Sequence, residues 1–160
     1  FNYFKKKKKT NSKEFARKLF IVVTIGLEKY AEEQSFNLKV AEGFGSQVVN
    51  LTGSLNLKNW ASLLKEADLV IAPDTGAIHL ANALGTPVVG LYAVANPLLT
   101  GPFKNLHNSV NKFPEAVKKF ESAEPKDFHY RVHDNRAMQL IEFKEVWAKV
   151  LNVLKTFPKK

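Results

Sequence analysis

One corner of the chain carries residue types and a spacing that suit the binding of an anion. The apolar run LVIAP ends where Asp74, Thr75 and Gly76 begin, and His79 lies three residues after the glycine. A helix that opens here has backbone N–H groups without internal partners and a partial positive charge, and both favour phosphate. Gly76 lets a ligand approach the backbone, Thr75 supplies a hydroxyl, and the side chain of His79 leans toward the same helix end. We therefore predict a phosphate or diphosphate site at this corner.

The same four residues also have an ordinary structural explanation. Asp-Thr before a helix is a common capping pair, and a single histidine on a helix is most often structural or exposed to solvent. Asp74 is a poor phosphate ligand because like charges repel, so it more readily orients backbone N–H groups or His79, or contacts hydroxyl groups of the ligand. From the residues alone, a phosphate site and a helix cap both remain open.

Strand-like and helix-like segments alternate on both sides of this corner. The apolar, β-branched segments predict strands over 19–25, 47–53, 68–73 and 87–92, and helical spacing predicts helices over 56–67, with Asn56 as N-cap, and over 75–85, closed by Gly85. Such alternation indicates an α/β fold with a parallel sheet, and near-continuous apolar strands indicate burial on both faces. In that arrangement the corner lies at the carboxyl end of a strand, where open parallel sheets bind ligands.

The pattern changes after residue 92. We predict a loop over 93–105, a short helix over 114–123, irregular structure over 124–136, and an amphipathic helix over 137–157 that divides near Glu142. The apolar stripe of the last helix should pack on the sheet. Its members are Leu140, Phe143, Val146, Trp147, Val150, Leu151 and Leu154.

The net charge of +9 is concentrated at one end of the chain. Residues 1–18 hold eight Lys or Arg and one Glu, a net +7, which leaves +2 for the remaining chain. We therefore divide the chain into a basic segment, 1–18, and a globular domain, 19–160. The basic segment is either a solvated run or a surface for anionic lipid, nucleic acid or a phosphate-bearing ligand. Nucleic acid is disfavoured because no nucleic-acid-binding motif accompanies the run.

The sequence also excludes cysteine chemistry and an N-terminal signal peptide or membrane span. The sequence has no cysteine, which removes disulfides, zinc–thiolate sites and a cysteine nucleophile. The basic run followed by LFIVVTIGL imitates a signal peptide, but EKYAEE follows at once without a small-residue cleavage pattern. The apolar run is also too short to span a bilayer.

The segment ADLVIAPDTGAIHLANALGTPVVGLY, with NPLLTGPF behind it, resembles the donor-binding motif of family 9 glycosyltransferases, the lipopolysaccharide heptosyltransferases and their relatives. The shared features are Asp-(Thr/Ser)-Gly, a histidine three residues later, and Ala-Leu-Gly-x-Pro before a strand. NLTGSLNLKNWASLLKEADLVI and RVHDNRAMQLIEFKEVWAKVLNVL resemble the flanking family segments. The resemblance implies the C-terminal, Rossmann-like lobe of a two-lobed GT-B enzyme, with helices on both faces of the sheet.

The resemblance also implies which residues bind the donor. Asp74, Thr75, Gly76 and His79 match the family positions at the donor pyrophosphate and sugar, and Leu55 falls where the family has an apolar contact to the nucleobase.

Two further donor contacts are implied near the N-terminus. Glu33, or alternatively Glu32, matches an acidic residue that hydrogen-bonds the ribose diol. Lys9 matches a phosphate-clamping lysine six residues before an aromatic, although Asn11 and Ser12 replace the family's Trp and Pro.

The resemblance implies transfer of a sugar to an acceptor of the lipopolysaccharide-core type, without a metal or cofactor. The favoured sugar is heptose, with ADP-heptose as the donor. We expect no catalytic residue in this chain, because the family's general base belongs to an N-terminal lobe for which 160 residues leave no room. The isolated lobe should bind donor without turnover. Its expected location is the cytoplasm, either free or peripheral at the inner face of the inner membrane. The alternative is a stand-alone nucleotide or nucleotide-sugar binding module.

Overall fold

The computed structural model of the chain describes residues 21–23, 48–121, 129–134 and 136–156. The chain forms two compact units, Phe1–Leu57 and Lys58–Lys160. Each unit contains a parallel sheet, and each is described by itself below.

The first unit contains two short parallel strands. β1 is Ile21–Val23 and β2 is Val48–Asn50, and they pair with Ile21 opposite Val48. Both lie inside predicted strands, 19–25 and 47–53. The chain then turns at Gly53, whose φ of 67° falls in the left-handed region that glycine adopts without strain. The strand itself ends at Asn50, three residues before the predicted closing glycine, and Gly53 lies in the turn that follows.

The second unit is built on a three-stranded parallel sheet in the order β3-β4-β5. Its strands are β3, Val70–Pro73; β4, Val88–Tyr92; and β5, Val110–Asn111. Its helices are α1, Leu57–Glu66; α2, Gly76–Ala83; α3, Pro97–Thr100; α4, Phe113–Phe120; and α5, Phe143–Thr156, with 3₁₀ turns at Leu106–Asn108 and Ala137–Leu140. The predicted alternation of strands and helices is confirmed, and α2 is the crossover from β3 to β4.

The central strand β4 is covered on both faces. Val88 and Val89 are both fully buried, and successive strand residues point to opposite faces of a sheet. Val89 packs with Val150 and Val153 of α5. The expectation of burial on both faces is therefore confirmed for β4. It is wrong for Ile71 of β3, whose side chain is 47% exposed.

The end of α2 is fixed by backbone geometry and by a buried hydroxyl. Gly85 has φ of 83° and its N–H bonds to the carbonyl of Asn82 at 3.2 Å, which confirms its predicted role in closing the helix. The next residue, Thr86, is fully buried and donates to the carbonyl of Leu64 at 2.7 Å. This bond ties the start of β4 to the end of α1.

The C-terminal amphipathic segment divides where the sequence predicts. The 3₁₀ turn ends at Leu140 and α5 begins at Phe143, and the N–H of Glu142 donates to Oε2 of Glu145 at 3.1 Å. This bond satisfies an N–H at the start of a helix, as in a capping box.

The predicted apolar stripe of this segment is only partly right. Val150 packs on the sheet as expected, whereas Phe143 and Leu154 are 41% and 43% exposed. Val153, which the stripe omits, is fully buried instead. The helix is therefore rotated slightly about its axis from the predicted orientation, so that the face carrying Val150 and Val153 packs on β4. No helix among the residues that the structure describes is long and apolar enough to cross a bilayer.

The segment 93–105, predicted as a loop, contains the short helix α3. Asn96 accepts a hydrogen bond from the N–H of Leu98 at 3.0 Å, and Pro97 occupies the first helical position. An Asn-Pro pair of this kind is an N-cap followed by its preferred first residue, so the signal was present in the sequence. The two-residue strand β5 carried no such signal.

Candidate functional site

The predicted corner lies at the carboxyl edge of the three-stranded sheet. Asp74 directly follows β3, Thr75 is the N-cap position of α2, and Gly76 is its first residue. Thr75 has extended backbone, with φ −138° and ψ 167°, and its side chain makes no capping hydrogen bond. The N–H of Ile78 bonds to the carbonyl of Thr75 at 3.2 Å. The hydroxyl of Thr75 is therefore exposed at the helix end without serving as its cap.

Both carboxylate oxygens of Asp74 contact side chains rather than helix N–H groups. Oδ1 lies 3.2 Å from Nε2 of His79, and Oδ2 accepts from the guanidinium of Arg131 at 2.8 Å. An ionised carboxylate only accepts hydrogen bonds, so Nε2 of His79 is the donor. Of the three roles predicted for Asp74, the structure shows the contact with His79, and it shows no capping hydrogen bond from the side chain of Thr75.

Arg131 reaches the corner through backbone pairing with the segment after β4. Ala95 and Arg131 form an antiparallel bridge, and the N–H of Val132 donates to the carbonyl of Val94 at 2.9 Å. Val132 is buried, in one cluster with Ala93. These contacts fix the backbone of Arg131, while its side chain is 56% exposed and extends to Asp74.

Gly76 is not explained by the packing or the backbone of the protein itself. Its φ is not positive, and a Cβ at this position would meet only Cη2 of Trp60, at an ordinary contact distance of 3.9 Å. Trp60 is buried beneath this end of α2. Open space at a helix N-terminus is what a closely approaching ligand requires.

Tyr92 forms a neutral wall on the buried side of the corner. It is the last residue of β4, is 1% exposed, and its hydroxyl donates to the carbonyl of Thr100 at 3.4 Å. Burial, and secondarily the charge of Asp74, raises the pKa of Tyr92 above its ordinary value. The phenol therefore stays protonated and adds no charge beside Asp74.

The structure brings together four of the seven predicted donor-site residues, Asp74, Thr75, Gly76 and His79. Leu55 is half-buried in the first unit, in the segment that follows β2. Glu33, its alternative Glu32, and Lys9 lie outside the described residues.

Arg131 is the residue of this corner that the sequence interpretation missed. It lies 57 positions beyond Asp74 in a segment predicted to be irregular. The sequence signal is weak, because long-range pairing and packing of residues 131–132 with residues 93–95 bring the two segments together. Among the described residues, no three histidine, aspartate or glutamate side chains are grouped so as to hold a metal ion.

Comparison with known proteins places this corner in a family. The family model for glycosyltransferase family 9 (heptosyltransferase) matches residues 15–128 of the chain. The chain is 47% identical over 70 residues to the lipopolysaccharide core heptosyltransferase OpsX of Haemophilus influenzae, which is 44% of this chain and 20% of that protein. It is 33% identical over 57 residues to lipooligosaccharide heptosyltransferase 2 of the same organism, covering 36% of this chain and 16% of that protein.

A solved structure supports the fold. The chain is similar to a family 9 glycosyl transferase from Veillonella parvula with a TM-score of 0.59 and 14% sequence identity, over 90% of this chain and 48% of that one. The chain thus spans about half of that structure and a smaller share of the two curated relatives. The likeness confirms the predicted α/β, Rossmann-like fold. With a family match that covers 114 of its 160 residues, from 15 to 128, the chain belongs to glycosyltransferase family 9.

Proposed function

We propose that the corner after β3 binds the diphosphate of a nucleoside diphosphate sugar, and that the chain is the donor-binding lobe of a sugar transferase. The observation that carries the proposal is the state of Thr75 and Gly76. The hydroxyl of Thr75 does not cap α2, and Gly76 is required by neither φ nor packing. Both are instead suited to a ligand at the helix N-terminus, where phosphate is favoured.

The reaction that we propose transfers the sugar to an acceptor hydroxyl. The hydroxyl oxygen bonds to the anomeric carbon, the bond from that carbon to the diphosphate breaks, and the hydroxyl proton passes to a general base. The departing diphosphate gains charge, which the first N–H groups of α2 and nearby donors would stabilise. We assign the general base to an N-terminal lobe outside this chain, so the described corner supplies binding and leaving-group stabilisation.

His79 can assist only through a change in its bonding. Its Nε2 already donates to Asp74, and the other nitrogen of a neutral imidazole is an acceptor. In this proposal His79 exchanges Asp74 for a phosphate oxygen when the diphosphate binds. Donor binding should therefore release Asp74 from His79.

The names of the relatives support a finer assignment. Two heptosyltransferases match the chain, one of them named for the lipopolysaccharide core, so we propose heptose from ADP-heptose as the transferred group and a core-type acceptor. In this proposal Leu55 contacts the nucleobase, Glu33 the ribose and Lys9 the phosphate. The acceptor would be met at the cytoplasmic face of the inner membrane.

Titration of the chain with ADP, UDP and GDP, followed by calorimetry, tests this function. We expect all three to bind and ADP to bind most tightly, with the matching sugar conjugate tighter still. Equal affinity for the three would contradict the adenine assignment. Saturating concentrations that release no heat and leave the tryptophan fluorescence unchanged would contradict the donor site as a whole.

A further inference from the structure

Asp74 presents an electrostatic difficulty for any diphosphate at this corner. Its side chain is only 16% exposed, and it lies directly before the first turn of α2. A carboxylate in this position repels a phosphate, and partial burial weakens the screening of that repulsion. Something must neutralise Asp74 for the helix end to accept an anion.

We propose that Arg131 is that neutralising group, and that it acts as a positioning residue of the donor site. Its guanidinium donates to Oδ2 of Asp74 at 2.8 Å, on the opposite carboxylate oxygen from His79. With neutral His79, the three side chains together carry no net charge. The inference rests on the proposed donor site and adds to it a residue that lies beyond the family match at 15–128.

The geometry distinguishes this role from that of a surface ion pair that happens to be near. The backbone of Arg131 is fixed by its bridge to Ala95, and the adjoining Val132 is buried, so the side chain of Arg131 starts from a fixed point within reach of Asp74. Asp74 is the single hydrogen-bond partner that the described residues give the guanidinium. Arginine remains charged at all ordinary pH values, so the neutralisation does not depend on the protonation of His79.

A neutralising role makes a prediction that a direct phosphate contact does not. If Arg131 acts by cancelling the charge of Asp74, its loss should be repaired by removing that charge. Arg131→Gln should weaken ADP binding by about tenfold or more, while adenosine, which lacks phosphate, binds as before. Asp74→Asn introduced into Arg131→Gln should restore most of the lost ADP affinity. Arg131→Lys should retain most of it, because the charge is kept.

Arg136 provides a matched control. It is another exposed arginine, paired with Asp134 at 2.7 Å, and it contacts the ring of Phe120. Arg136→Gln removes the same charge from the chain and should leave ADP affinity unchanged. Calorimetric titration of the 160-residue chain and of these variants measures the affinity of each for ADP and adenosine. Urea unfolding confirms that each variant is folded.

The outcomes separate this inference from the proposed function. If the unaltered chain binds none of ADP, UDP and GDP, the donor site is wrong and the role of Arg131 with it. If the unaltered chain binds ADP and Arg131→Gln binds it equally well, only the role of Arg131 is wrong. If the double variant remains as weak as Arg131→Gln, Arg131 does not act by neutralising Asp74.

Discussion

Replacement of Gly76 by alanine should raise the stability of the chain and lower its affinity for diphosphates. The backbone at Gly76 is in a conformation that alanine adopts, and a new Cβ meets only Cη2 of Trp60 at 3.9 Å. Alanine restricts the unfolded chain more than glycine does, so the free energy of unfolding should rise by about 0.4–1 kcal/mol. A methyl group at the helix end should displace a bound phosphate and cost about 1.5–3 kcal/mol of binding, the range for hydrogen bonds to charged groups. That loss corresponds to an affinity about 10- to 150-fold weaker.

Gly85→Ala is the matched control for this experiment. Gly85 has φ of 83° and nothing lies within 4 Å of its added Cβ, so the substitution costs only backbone strain, about 1–2 kcal/mol. It should lower stability and spare ADP affinity, the reverse of Gly76→Ala. Urea unfolding gives the stabilities, and titration monitored by tryptophan fluorescence, to which Trp60 near the site contributes, gives the affinities. Unchanged ADP affinity in Gly76→Ala would refute the argument that the glycine serves a ligand.

Three further predictions concern side chains. His79→Ala should weaken ADP binding about 10- to 150-fold. The same variant should change the free energy of unfolding by less than about 1 kcal/mol in urea titrations, since His79 is 47% exposed; a large loss of stability with unchanged affinity would make it a structural histidine. The guanidinium of Arg136, with its backbone N–H, lowers the pKa of Asp134 from 3.8 to about 2. This pair therefore stabilises the fold at pH values above the ordinary pKa of aspartate, and the stabilisation is lost as the pH falls through about 2. The melting temperatures of the unaltered chain and Asp134→Asn should therefore differ near about pH 5 and converge near pH 2, and a gap that persists in acid would contradict this. Replacing Lys5–Lys8 by serine should abolish adsorption to anionic vesicles, to which each lysine contributes about 1 kcal/mol of binding, and should leave ADP affinity unchanged. Lys9→Ser should weaken ADP binding. Adsorption to the vesicles that survives about 1 M salt would exclude the charge mechanism.

The elements that the sequence predicts best are those with long, regular patterns. The apolar runs that become β3 and β4, and the helix between them, need only local periodicity and a closing glycine at Gly85. The strand β5 has two residues, which is too few for any periodicity. The predicted orientation of α5 is wrong at Phe143 and Leu154, because helical spacing identifies an apolar stripe but not the rotation of the helix about its axis against the sheet.

The candidate site was predictable where its residues are neighbours in the sequence. Asp74 and His79 are five positions apart, on either side of the start of α2, and the side chain of His79 leans toward that end of the helix, so they are neighbours through local structure. Arg131 depends on a long-range backbone bridge to Ala95, and no local rule indicates such a pairing. The neutralisation of Asp74 is therefore a property of the tertiary structure, although every residue in it is ordinary in type.

Amide hydrogen exchange at the start of α2 tests the central claim most directly. The backbone N–H groups from Thr75 to Ala77 lie at the exposed N-terminal end of the helix, where such groups lack helical partners. Saturating ADP should slow their exchange, while amides of α4, which begins at Phe113 and ends at Phe120, serve as an internal reference and should not change. If ADP, UDP and GDP all leave the exchange of Thr75, Gly76 and Ala77 unchanged, the diphosphate does not bind at this corner.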